Sequence, residues 1–216
     1  MTKQRLSKIK RTLRARQLDT MVIVDEVHKP YNLAAIMRTC DAVGVPQIHA
    51  VYPKPTIRTS VNAAAGTKRW VNVTTEPSID KALAKARAQS MLVLGAHPCP
   101  LAIDFREIDY TQPVAIVMGG ELNGFSDYTL SQLDHTIKIP MHGMGESLNV
   151  SVAAALILFE LERQRNQRGL YDIKHYSPEQ LQKLTFEWAQ PKFSRFCADQ
   201  KMPYPALDDE GDIIHS

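Results

Sequence analysis

Three loop-centred clusters hold the residue types that could do chemistry. The first runs from Asn32 to Gly44, where Leu33, Ile36, Met37, Cys40 and Val43 recur at helical spacing and mark one buried face. At 100° per residue, Arg38 falls roughly 165° from the centre of that stripe, so it points away from the core. There it either pairs with Asp41 as an ordinary surface charge or turns its planar fork to an anionic substrate. The second cluster, Met118-Gly119-Gly120-Glu121-Leu122-Asn123-Gly124, follows an apolar run that reads as a strand. Its glycines would let the backbone approach a ligand closely or take a left-handed φ. Glu121 reads as a turn residue, a cap, or a partner for an arginine across the site. The third cluster, Ile139 to Ser151, is a strand end, a glycine-bearing loop and then a long helix reaching about Gln167. Ser147 reads as the N-cap of that helix, a role compatible with a ligand contact.

Several chemistries lose ground on spacing alone. A Walker loop needs Lys after its last glycine, and Phe125 stands there. The same segment fails the dinucleotide fingerprint. Ser147 lies in Gly-Glu-Ser-Leu-Asn, which lacks the last glycine of a nucleophile elbow. The histidines are scattered with no HExxH, and no Cys/His cluster has metal spacing, so no metal is expected.

The elements that must position these clusters alternate. Strands are expected near Met21–Val27, Gln47–Tyr52, Trp70–Thr74, Met91–Ala96, Val114–Met118 and Thr136–Ile139. Helical stretches lie between them, for example Ile79, Ala82, Leu83 and Ala86. That alternation predicts an α/β fold with a largely parallel sheet, whose ligands sit beyond the carboxyl ends of its strands. Residues 1–18 form a basic helix: Lys3, Arg5, Lys8, Lys10, Arg11, Arg14 and Arg16 occur without one acid, and Leu6, Ile9 and Leu13 share a face. Residues 19–168 form the central domain. Residues 169–216 form a helical extension that starts at Ser177-Pro178-Glu179, carries Leu181, Leu184 and Trp188, and ends in a mobile acidic tail at Asp208–Asp212. From Val150 to Phe159 the long helix is apolar nearly all round, so it needs burial on a second side, which a subunit interface would supply.

The 216 residues carry 26 Lys and Arg against 23 Asp and Glu, a net +3 that forces no nucleic-acid reading by itself. Three cysteines without a CxxC argue against a disulfide framework. No apolar run approaches the roughly 20 residues of a bilayer span, and Asp19 interrupts any signal-like stretch. A cytoplasmic location is expected.

Taken in order, Asn32…Arg38…Gly44, Gly119-Gly120-Glu121…Gly124 and Ile139-Pro140-Met141…Ser147-Leu148-Asn149-Val150-Ser151 resemble the SPOUT class of RNA methyltransferases, in its SpoU ribose 2′-O-methylating branch. Val27-His28-Lys29-Pro30, Asp41 to Val45, Ala63 to Gly66, Asp104 to Tyr110 and Met202 to Pro205 extend the likeness to members that act on guanosine 18 of tRNA. The resemblance implies a sheet domain with a deep trefoil knot over about residues 91–168. It also implies a homodimer packed through the knot helices. S-adenosylmethionine is the implied methyl donor, leaving S-adenosylhomocysteine, in a pocket of Ala96, Gly119, Gly120, Ile139, Met141 and Leu148. The implied catalytic set is Arg38, Asn32, Glu121, Ser147 and Asn149. Lys8, Arg11, Arg163, Arg165 and Arg168 are the expected RNA phosphate contacts. The substrate this implies is guanosine 18 of the tRNA D-loop. Another ribosomal or wobble-position ribose, or a non-catalytic RNA-binding module, are the alternatives.

Overall fold

Alternate residues along the strands supply both apolar layers of the protein. The computed structural model describes residues 1–52, 69–120 and 124–214. They divide into two units, Gln17–Leu170 and Met1–Arg16 with Tyr171–Ser216. In chain order the helices are α1 (Lys3–Arg14), α2 (Pro30–Ala42), α3 (Ile79–Ala88), α4 (Asp127–Ser131), α5 (Val150–Gln167), α6 (Pro178–Ala189) and α7 (Pro191–Asp199). The strands are β1 (Thr20–Asp25), β2 (Gln47–Val51), β3 (Asn72–Glu76), β4 (Leu92–Ala96), β5 (Ile103–Asp104), β6 (Val114–Met118) and β7 (His135–Lys138).

Among the described residues of Gln17–Leu170, seven strands form one parallel sheet in the order β3-β2-β1-β6-β4-β7-β5. Val22 and Val24 of β1 join Leu33, Ile36 and Met37 of α2 and Ile157, Leu158 and Leu161 of α5 on one face. Met21 and Ile23 join Ala82, Leu83 and Ala86 of α3 on the other. A sheet covered on both faces needs continuous apolar strands, which is why these runs were readable without alternation. β1 stops at Asp25, two residues short of the expected end, because Glu26 takes a left-handed φ of 56°. β5 has two residues and was not expected, being too short to show any period.

Arg165 departs from the sequence reading. It is fully buried, and all five of its N–H groups are used. Nε donates to the Tyr110 carbonyl at 2.9 Å, Nη1 to Gln17 Oε1 at 2.9 Å and Asp19 Oδ1 at 2.7 Å, and Nη2 to Asp19 Oδ2 at 3.0 Å and the Gln112 carbonyl at 2.9 Å. A guanidinium so enclosed cannot meet an RNA phosphate. It ties α5 to the segments entering β1 and β6. Arg163 is exposed but already forked onto Glu160, at 2.8 and 2.7 Å, so most of its charge is answered within the helix. Arg168 and, in the other unit, Lys8 and Arg11 are exposed, as phosphate contacts need to be.

In the unit Met1–Arg16 with Tyr171–Ser216, Leu6, Ile9 and Leu13 are buried and six of the seven cations stand outside. Arg16 is the exception, buried with its guanidinium 5.4 Å from the Trp188 ring centre. α6 starts on a reciprocal capping box of Ser177 and Gln180 with Pro178 in its first turn, as its sequence suggested. Its most buried residues are Thr185 and Phe186; Leu181, Leu184 and Trp188 are only half-buried. The acidic end is a folded turn and not a loose tail. Asp208 Oδ1 accepts from the backbone N–H groups of Glu210 and Asp212 at 2.8 and 2.9 Å, and Gly211 turns the chain at φ 82°.

Arg165→Ala is expected to cost about 3 kcal/mol of unfolding free energy, because Asp19 and three other acceptors lose their partner. Arg165→Lys, with three donors and no fork, should recover little of it. Denaturant unfolding followed by circular dichroism measures both. An unchanged midpoint for Arg165→Ala would contradict the structural role.

Candidate active site

The parallel register sets the carboxyl ends of the central strands level. Val24 of β1 pairs with Met118 of β6, Met118 with Ala96 of β4, and Ala96 with Ile137 of β7. The chain leaving these ends must therefore build one rim. Gly119 and Gly120 follow β6 directly, and close backbone approach explains them. A Cβ on Gly120 would lie 3.0 Å from the Glu26 carbonyl oxygen, and one on Gly119 would lie 3.0 Å from the Gly124 backbone. Gly124 alone of the three takes a left-handed φ, 60°, and its N–H donates to the Gly120 carbonyl at 3.1 Å, closing the loop. Glu121 lies outside the described residues, as does Ala63-Ala64-Ala65-Gly66.

A cavity of about 580 Å³ opens at this rim. Ala96, Gly119, Gly120, Ile139, Met141 and Leu148, the six residues expected to hold the donor, all line it. Ser147 and Asn149 line it as well. Several lining residues were not among the expected site residues, Lys138 and Glu146 as well as Lys29 and His97. For the last two the signal was position: His97 is the first residue past β4, and Lys29 immediately precedes α2. Below the rim, burial pushes the Asp25 carboxyl above its usual range, with a hydrogen bond from Thr129 Oγ1 at 3.2 Å opposing the rise.

Asn149, not Ser147, caps α5. Its Oδ1 accepts from Ser151 N at 2.9 Å and Ser151 Oγ at 2.7 Å, while its Nδ2 donates to Asn32 Oδ1 at 3.2 Å. Ser147 stays in the exposed loop, two residues too early to cap. Asn32 is 7% exposed on the first turn of α2. One amide thus joins α2, which bears Asn32 and Arg38, to the start of α5. Arg38 is not brought to this cluster. Six residues along α2 is about 600°, or 9 Å of rise, so Arg38 emerges on the helix's outer side. It is exposed there, its side chain makes no hydrogen bond or ion pair with any described residue, and it does not line the cavity. The surface pairing with Asp41 is absent.

Residues 19–159 match the model of the SpoU rRNA Methylase family, and residues 163–216 match that of the SpoU rRNA methylase C-terminal region. The chain belongs to the SpoU methylase family. It is 44% identical over 216 residues to the tRNA (guanosine(18)-2′-O)-methyltransferase of Escherichia coli K12, covering 99% of this chain and 94% of that one. It is 45% identical over 187 residues to an enzyme of the same name from Thermus thermophilus, covering 87% and 96%. Among solved structures, the Aquifex aeolicus TrmH/SpoU tRNA modifying enzyme superposes with a TM-score of 0.78 at 34% identity, over 86% of this chain and 94% of that one. The SpoU methyltransferase AviRb from Streptomyces viridochromogenes, solved with S-adenosylmethionine, gives 0.63 at 27% identity, over 70% and 62%. The parallel sheet with flanking helices is thus the SPOUT fold of this family.

Asn149→Ala is expected to lower stability by about 1 kcal/mol, and Asn149→Asp to restore it through the cap oxygen. Ser147→Ala should stay within about 0.5 kcal/mol of the unaltered protein. Thermal unfolding of the three variants checks the assignment; a costly Ser147→Ala with a neutral Asn149→Ala would reverse it.

Proposed function

We propose that this protein transfers the methyl group of S-adenosylmethionine to the ribose 2′-hydroxyl of guanosine 18 in the tRNA D-loop. The observation that carries the reading is the 44% identity, across nearly the whole length, to an enzyme of that name. The cavity supports it chemically. Its volume lies within the ordinary range for small-ligand sites, Ile139, Met141 and Leu148 offer apolar sides to a flat ring, and the Gly119-Gly120 backbone is bare enough to read the edge of one.

The donor's sulfonium supplies an activated methyl, so the protein's task is to position the ribose oxygen in line and ease loss of its proton. A guanidinium is no general base, so Arg38 does not take the proton itself. Its fork instead clamps an RNA phosphate, and the clamped phosphate lowers the cost of deprotonating the hydroxyl. Asn32, held to Asn149, positions the ribose together with Ser147 and Glu121. Lys8, Arg11 and Arg168 contact RNA phosphates, with Arg163 a weaker contributor.

Arg38 reaches a cavity from a second copy of the chain. Val152, Leu156 and Phe159 support this dimer: they are 47%, 43% and 52% exposed at i, i+4 and i+7 on the outer face of α5. In one chain the apolar helix is buried on one side only, and α2, which bears Arg38, packs beside it. The trefoil knot over about 91–168 belongs to the same reading, supported by the family's fold. No described helix is long and apolar enough to cross a membrane, which agrees with a cytoplasmic place beside tRNA.

Unmodified tRNA is expected to accept one methyl from labelled donor, and tRNA carrying 2′-deoxyguanosine at position 18 to accept none. Methyl on the deoxy substrate, or mapped elsewhere, would overturn the assignment. Arg38→Lys keeps the charge without the fork and should lose about a hundredfold or more in turnover.

A further inference from the structure

Away from the rim, the unit formed by Met1–Arg16 and Tyr171–Ser216 holds a groove of about 500 Å³ between α1, α6 and the segment Tyr204–Asp208. Its apolar lining includes Leu6, Leu181, Phe186, Tyr204 and Pro205. Tyr204 lies stacked on Phe186, with ring centres 4.6 Å apart, and its hydroxyl is spent on Glu187 Oε1 at 3.0 Å. Three cations line the same groove, Lys10, Arg14 and Lys183, against two anions, Glu179 and Asp208.

The anions are engaged, and two of the three cations are not. Glu179 accepts from the Ser177 hydroxyl at 2.7 Å. Asp208 accepts two backbone N–H groups, which hold its carboxyl below the usual range. Lys183 reaches only Glu187, at 4.0 Å. The side chains of Lys10 and Arg14 have no ion-pair or hydrogen-bond partner among the described residues. They stand one turn apart on a helix with no acidic residue, an arrangement that costs a few tenths of a kcal/mol in the free protein. An unanswered cation pair beside an aromatic and proline surface matches a nucleotide: phosphate for the cations, base for the apolar lining.

We propose that this groove binds one unpaired nucleotide of the substrate RNA, its phosphate held by Lys10 and Arg14 and its base laid in the groove lined by Leu181, Tyr204 and Pro205. The inference rests on the RNA-methylating reading above and adds a second, non-catalytic nucleotide site to it.

The test uses the full chain and reads the KM for tRNA, its salt dependence and the affinity for S-adenosylhomocysteine. Lys10→Gln with Arg14→Gln should raise KM roughly tenfold and flatten the salt slope by about 0.7 to 0.9, one phosphate contact. Ala206→Leu and, separately, Gln182→Leu fill the groove from exposed lining positions without changing charge. Each should raise KM roughly fivefold with the salt slope unchanged, and none should alter S-adenosylhomocysteine affinity. A raised KM for the charge variant alone, with both filling variants normal, would show RNA lying on a basic surface and overturn the nucleotide site. So would no effect from any variant. Methyl transfer by the unaltered protein reports independently on the proposed activity, so a groove that fails with transfer intact falls alone.

Discussion

Parallel hydrogen bonding among seven strands is the constraint from which the site follows. Strands that all run one way must all end on one edge, and each connection must cross back over a face of the sheet. The crossings bury both faces, which makes the strands apolar throughout and leaves the polar and glycine residues to gather past their ends. Gly119, Gly120, Ile139 and the loop to Asn149 meet at one cavity because Met118, Ala96 and Ile137 are level in the register. Sequence distances of tens of residues collapse there to a single rim.

On that rim the interactions are economical. The Asn149 amide uses its oxygen to start α5 and its nitrogen to hold Asn32 on α2. Farther along, Arg165 binds α5 to the approaches of two strands. With both ends of α5 fixed, its outer apolar stripe and the outward Arg38 of α2 are presented together to whatever packs against them. In the proposed dimer a second copy of the chain would cover the stripe and bring the Arg38 guanidinium to a cavity whose described lining holds no arginine.

Much of this was legible. The apolar runs anticipated six of the seven described strands within a few residues, and the clusters around Gly119 and Ser147 led to the lining of one cavity, while no residue of the Asn32 to Gly44 cluster lines it. What escaped had local causes. β5 is too short for a period, and Glu26 ends β1 early through a backbone angle that an acidic residue does not announce. Arg165 was read with its neighbours as a phosphate contact because charge in a helix defaults to the surface. Its burial depends on acceptors at residues 17, 19, 110 and 112, which no local window contains. The cap passed from Ser147 to Asn149 because both residue types can cap and only the helix's true start decides between them. That the N-terminal helix folds with the C-terminal segment as one unit is a contact across the whole chain, invisible to spacing.

Subunit complementation tests the shared site most directly. One variant loses Arg38 through Arg38→Ala; the other keeps Arg38 but has its cavity blocked by Leu148→Trp, checked by loss of S-adenosylhomocysteine binding. Each alone should be inactive on tRNA. Mixed after co-expression, they should regain activity, since a hybrid pair holds one open cavity served by the intact Arg38 of the blocked chain. A mixture as inactive as its parts, with hybrids present, would contradict an Arg38 that acts across subunits.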